Sequence, residues 1–137
     1  MNVAVVTAES LDVAAHEKAV SDAGAGAVVC FQGVVRDHDG GNAVVELEYE
    51  GHPSACAVLE EIVAEFAKDP SVYAIAVSHR VGLLAIGDTA LVAAVSTAHR
   101  AEAFKLCAAL VDEVKGRLPI WKRQRFADGT DEWVNCP

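Results

Sequence analysis

Five of the eleven lysines and arginines in this chain, Lys115, Arg117, Lys122, Arg123 and Arg125, fall within eleven consecutive positions near the C-terminus. The rest of the sequence is acidic, with twenty Asp and Glu and a formal net charge of −9. Positive charge concentrated in one segment of an acidic protein marks a prospective anion site, with a solvated basic face as the ordinary alternative. Other cations stand in pairs or at strand ends: His99 beside Arg100, His79 beside Arg80, and Arg36 where an apolar run gives way to a turn. Guanidinium forks bind phosphate through two hydrogen bonds and stay charged at any working pH. Arg36, His99 and Arg100 are therefore the candidate substrate-binding residues for a polyanionic ligand. A lysine amine among other cations has its charged form disfavoured, which suits it to general acid/base or nucleophilic work. Lys115 and Lys122 are the candidate catalytic residues.

These side chains need elements to aim them. In a helix starting near Arg100, Phe104, Cys107, Val111, Val114 and Leu118 fall on one face at about 100° per residue, and Asp112 and Glu113 lie outside it. Arg100 projects at the centre of that stripe and Lys115 about 60° from it, so both cations are expected to point toward protein. One such residue is ordinarily explained by snorkelling, whereas two on one helix favour a binding role. Fifteen residues separate them, about 22 Å along the axis at ~1.5 Å per residue, too far for one small ligand within one subunit. The alternatives are two sites or one pocket built across a symmetric dimer. The dimer is favoured because two-fold oligomers are the commonest kind. Pro119 should end the helix, and Ile120, Trp121 and Lys122 should follow extended, with Trp121 as an anchor and Lys122 projecting into a pocket.

Upstream, residues 2–6 read as a strand, and Ser10 is a plausible N-cap for a helix over about 11–23 that Gly24 and Gly26 end. The run AVVCFQGVV at 27–35 reads as a strand covered on both faces, and DHDGGN at 37–42 as a turn. VELEYEG alternates, with Val45, Leu47 and Tyr49 on one face and Glu46, Glu48 and Glu50 on the other, a half-exposed strand hairpinned to the preceding one. Pro53 opens a helix to about Lys68 with a stripe of Cys56, Leu59, Ile62, Val63 and Phe66. Two apolar strands, 72–78 and 89–96, flank a glycine-containing turn. The order predicts an α+β fold in one domain, residues 1–137, with a largely antiparallel sheet and flanking helices.

Net negative charge argues against nucleic acid as the main partner. Apolar runs stay well short of the ~18 residues that span a bilayer, and the N-terminus lacks the pattern of a secretory leader, so a soluble, cytoplasmic protein is expected. Cys30, Cys56, Cys107 and Cys136 form no CxxC pair. That argues against a structural zinc or redox motif, and Cys30 and Cys107 are expected in the core. A metal-ligand cluster and a phosphate-binding glycine loop are both absent from the sequence pattern, so no cofactor is expected.

GAVVCFQGVVRDH, LEYEGHP, HRVGLLAIGD, STAHRAEAF and, most specific, KGRLPIWKR occur in this order from about Gly26 to Val134. In these stretches the sequence resembles the large, catalytic subunit of molybdopterin synthases, the MoaE family. The resemblance implies an α/β hammerhead-type fold and a homodimer at the core of a heterotetramer. It implies a small ubiquitin-like sulfur-carrier subunit, MoaD-like, whose C-terminal Gly-Gly thiocarboxylate enters the active site. It implies cyclic pyranopterin monophosphate as substrate, which receives two sulfurs to form the molybdopterin dithiolene. Position by position, Lys115 and Lys122 match the family's active-site lysines, His99 and Arg100 the pair that binds the pterin and phosphate, and Arg36 a basic pocket residue. The implied route is attack of the thiocarboxylate sulfur on the pterin side chain, transient covalent attachment and hydrolytic release of the carrier, repeated once. Three features depart from the pattern: Gln124 stands where many relatives carry an acid, His52 replaces an aromatic residue, and the sequence ends at Pro137 without a basic tail. The competing readings are a noncatalytic module that binds a phosphate metabolite or a partner's C-terminal peptide, and a structural subunit for another catalyst.

Overall fold

A computed structural model describes residues 2–134. The elements run β1 (Asn2–Thr7), α1 (Val13–Ala19), β2 (Ala27–Val34), β3 (His38–Asp39), β4 (Asn42–Gly51), α2 (Ala55–Ala67), β5 (Val72–Arg80), β6 (Gly82–Ala85), β7 (Thr89–Thr97), α3 (Arg100–Arg117), β8 (Ile120–Phe126) and β9 (Asp131–Val134). They build two sheets. One has the order β1-β5-β7-β2, and the other has β3-β4-β8-β9 with β6 added to β4. β1 pairs parallel with β5, and the other pairings are antiparallel, in line with the α+β expectation.

The central strands of the first sheet are apolar on both faces because both faces are covered. On β5, Ile75 and Val77 join the main core with Leu59 and Ile62 of α2 and Leu110 and Val114 of α3, while Ala74 and Ala76 turn toward Val20 beyond α1. The second sheet closes the main core through Leu47, Leu84 and Ile120. Complete burial of a Leu, Ile or Val side chain contributes about 1.5–3 kcal/mol. The helices that flank the first sheet are thus fixed chiefly by packing.

Several elements differ from the sequence expectation. α1 starts at Val13, because the Asp12 side chain, and not Ser10, accepts the capping hydrogen bond, from the Ala15 amide at 3.1 Å. The strand at 42–51 is not hairpinned to β2. β2 pairs with β7 in the first sheet, and β4 lies in the second between β3, β6 and β8. A bulge between Val44 and Glu46 shifts the register of β4, so Val44 is buried and Val45 exposed, while Leu47 and Tyr49 keep the inward face. Within 37–42 the turn contains a two-residue strand, β3, and Gly40 and Gly41 take φ of 57° and 83°, the left-handed pair that a tight hairpin requires. On α2, Leu59, Ile62 and Val63 are buried as expected, but Cys56 is exposed and Ala55 takes its place. Cys107 is buried and Cys30 half-buried; Cys136 lies outside the described residues.

Candidate active site

The register of β4 against β8 sorts the C-terminal cations by face. Glu46 stands opposite Arg125 and Glu48 opposite Arg123, while Leu47 faces Gln124 and Tyr49 faces Lys122. Side chains alternate along each strand, so the first two pairs project to one face of the sheet and the last two to the other. On the outer face Arg125 meets Glu46 at 2.7 Å, and Arg123 binds Asp131 and lies 3.8 Å from Glu48 with Trp133 beneath it. Arg117 is held by Glu65 at 2.6 Å and Glu113 at 3.3 Å. Three of the five clustered cations are therefore neutralised by acids away from the inner face. The basic cluster is not one anion site; only Lys115 and Lys122 of the five belong to the cavity described next.

That cavity, of about 240 Å³, lies where the two sheets and the end of α3 meet. Arg36, Lys115 and Lys122 line it together with Tyr49, His79, Gln124 and His38, over a floor that includes Leu47 and Leu91. Lys115 comes from the last turn of α3, Lys122 from the inner face of β8, and Arg36 from the segment after β2. Three cations from three elements, two of them adjacent in the sequence and one remote, thus share one concave, partly apolar site, the usual form of a small-molecule pocket.

His79 is 1% exposed, and its ring packs edge-on against Tyr49 with centroids 5.0 Å apart. Its Nδ1 lies 2.7 Å from the Arg80 carbonyl oxygen, so Nδ1 carries the proton and Nε2 the lone pair. Burial pushes its pKa down to about 4, against the raising effect of that hydrogen bond, and the nearby Lys115 charge pushes the same way as burial. His79 is consequently neutral near pH 7 and is not one of the cations the sequence suggested. Arg80 turns away to Asp88 at 3.5 Å.

His99 and Arg100 are not in this cavity. His99 is the residue before α3 and Arg100 its first, both exposed, and His99 borders a separate shallow depression with Tyr73 and Glu102. The buried face of α3 is Ala103, Cys107, Leu110, Val111 and Val114. Phe104, expected in the core, is 64% exposed, and Arg100 lies with it at the surface and not against protein. The buried face is centred only about 40° from the expected stripe, with Ala103 and Leu110 inside it and Phe104 beyond its edge; Arg100 is exposed because it is the first residue of the helix.

Tyr49 and Gln124 were not singled out as site residues, although alternation holds the signal for both: Gln124 is two positions from Lys122, and Tyr49 is on the Leu47 face of its strand. Among the described residues no three His, Cys, Asp or Glu side chains gather closely enough to hold a metal ion.

A family model described as MoaE protein matches residues 6–117. The chain belongs to the MoaE family. The molybdopterin synthase catalytic subunit of Nostoc is 37% identical over 116 residues, which cover 83% of this chain and 70% of the Nostoc protein. Molybdopterin synthase catalytic subunit 1 of Mycobacterium tuberculosis is 38% identical over 94% of this chain and 88% of its own length. The crystal structure of molybdopterin synthase from Staphylococcus aureus superposes with a TM-score of 0.86 at 31% identity, over 96% of both chains. The mixed sheet-and-helix fold is that of MoaE structures, and the cavity belongs to an enzyme of molybdopterin biosynthesis. Among the described residues no helix is long and apolar enough to cross a membrane.

Proposed function

We propose that the cavity holding Arg36, Lys115 and Lys122 is the sulfur-transfer site, where cyclic pyranopterin monophosphate receives two sulfurs from the thiocarboxylated C-terminus of a small ubiquitin-like carrier subunit. The observation that carries this reading is the convergence of those three cations, from α3, β8 and the segment after β2, on one cavity. In each half-reaction the thiocarboxylate sulfur bonds to a carbon of the pterin side chain while that carbon's bond to oxygen breaks, and the departing oxygen leaves as a phosphate oxygen or, once protonated, as water. Water then cleaves the resulting thioester, leaving sulfur on the pterin and a carboxylate on the carrier. Lys115 and Lys122 move protons and stabilise the oxyanions of these steps, and Arg36 holds anionic substrate groups.

His99 and Arg100 enter this reading through a homodimer, in which they meet the substrate bound mainly by the other protomer; with two carriers the assembly is a heterotetramer. The proposed compartment is the cytoplasm. The test is a single-turnover reaction with thiocarboxylated carrier and cyclic pyranopterin monophosphate, with the dithiolene product followed by mass spectrometry. Loss of a general acid/base group lowers the rate about 10²–10⁴-fold, so Lys115→Ala should fall by that much while carrier affinity stays within about twofold. Loss of carrier affinity at an unchanged rate would favour a noncatalytic binding module.

A further inference from the structure

Gln124 and Asp39 stand beside the proposed chemistry without a part in it. Gln124 is 3% exposed, and a buried primary amide needs a partner. Its Nε2 donates to Asp39 Oδ2 at 2.6 Å, across 85 positions of sequence. Asp39 is the last residue of β3, and its other carboxylate oxygen is 3.7 Å from the Arg36 guanidinium. The Gln124 hydrogen bond, with Lys122 and Arg36 nearby, holds the Asp39 carboxyl below its usual range despite partial desolvation.

The turn that carries Asp39 is otherwise weakly held. β3 pairs with β4 through His38 with Ala43 and Asp39 with Asn42, with one more backbone bond from the Val44 amide to the Asp37 carbonyl at 2.8 Å, and an isolated hairpin of that size has marginal stability in water. The Arg36–Asp39 ion pair is exposed and long, the kind that contributes little alone. The charge-assisted hydrogen bond from a buried, strand-borne amide therefore adds to this turn a side-chain tie to β8. Gln124 is also chemically suited to it, because an amide donates to the carboxylate without adding charge, whereas a second carboxylate at that distance would have to share a proton with Asp39.

We propose that Gln124 and Asp39 form a latch that fixes the β3–β4 turn and Arg36 at the rim of the cavity, so that both act as positioning residues for the anionic pterin substrate. The latch rests on the reading of the cavity as the substrate site. It acts on affinity more than on the chemical step, since neither group is assigned to the reacting atoms.

The test is a double-mutant cycle of Gln124→Leu and Asp39→Ala, reading Kd for cyclic pyranopterin monophosphate by calorimetry and KM and kcat with the carrier present. Gln124→Leu leaves the net charge unchanged, so a loss of binding reports position and not electrostatic attraction. The expected result is a rise of about tenfold in Kd and KM with a smaller fall in kcat, and no further rise when Gln124→Leu is made in the Asp39→Ala background. A change under twofold, or the same factor in both backgrounds, overturns the latch. Asp39 is exposed on a short turn, so Asp39→Ala keeps the question open to measurement should Gln124→Leu fail to fold: in that event an unchanged distribution of the Arg36 side chain by NMR on removing Asp39 would overturn it. Lys122→Ala separates the two ideas, because unchanged pterin affinity in that variant defeats the cavity reading itself.

Discussion

His79 is buried between the aromatic edge of Tyr49 and the cationic end of α3, and that position couples the site to the stability of the fold. Its pKa is about 4 in the folded chain against 6.5 ordinarily. Between these values the unfolded chain binds a proton that the folded chain does not, so stability rises with pH across the window. It is complete above about 6.5 and is lost as pH falls toward 4. At about 1.4 kcal/mol per unit the difference amounts to about 3 kcal/mol. Urea denaturation at pH 7 and pH 4.5 should reveal this slope, and His79→Gln should flatten it; an unchanged slope in the variant would place the acid sensitivity elsewhere. Asp39 and Asp37, also held below the ordinary carboxylate range, respectively by Gln124 and His38, contribute in the same direction at lower pH, but both lie at the surface, where solvent screens the effect.

At the scale of elements, α3 decides what the core holds and what remains outside. Leu110 is fully buried on the face toward the first sheet, and Phe104 is largely exposed at the edge of that face. Leu110→Ala should destabilise the chain by about 2–5 kcal/mol, and Phe104→Ala by less than about 1 kcal/mol, in denaturation of dilute protein. The reverse ranking would mean that the helix sits rotated from its described face. The same helix shows how far a sequence can be read. Its start, its end at Pro119 and most of its apolar face follow from spacing, yet spacing alone did not show that the first turn, with Arg100 and Phe104, is left uncovered by the rest of the chain. The alternation of LEYE correctly gave Leu47 and Tyr49 one face and the glutamates the other. The partner strand was not legible, because β8 lies about 75 positions away and local pattern contains no term for it. Nor was the pairing of Arg117, Arg123 and Arg125 with Glu65, Glu48 and Glu46, which turned a promising basic cluster into a mostly neutral face. Lys115, Lys122 and Arg36 do meet, and that convergence needed the three-dimensional path of the chain.

For the whole molecule, the separation of Arg100 from Lys115 becomes a matter of assembly. The two stand fifteen positions apart on one unbroken helix, about 22 Å along its axis at ~1.5 Å per residue, and the cavity includes only the second. Beside α3 the chain exposes Phe104, which lines a shallow apolar groove with Val29, Phe31 and Val111. A two-fold axis near this surface would bring the helix start of one protomer toward the cavity of its partner, and each composite site would take Lys115 from one chain and Arg100 from the other. Mixed dimers then make a quantitative prediction. Lys115→Ala and Arg100→Ala should each be inactive alone. When equal amounts are unfolded and refolded together, half the dimers contain one of each, and each of these has one site with both wild-type residues and one with neither. Activity should recover to about a quarter of the wild-type value. A mixture that stays inactive would confine each site to one chain and leave Arg100 with a different task, since no rearrangement within a rigid helix can shorten the distance between its ends.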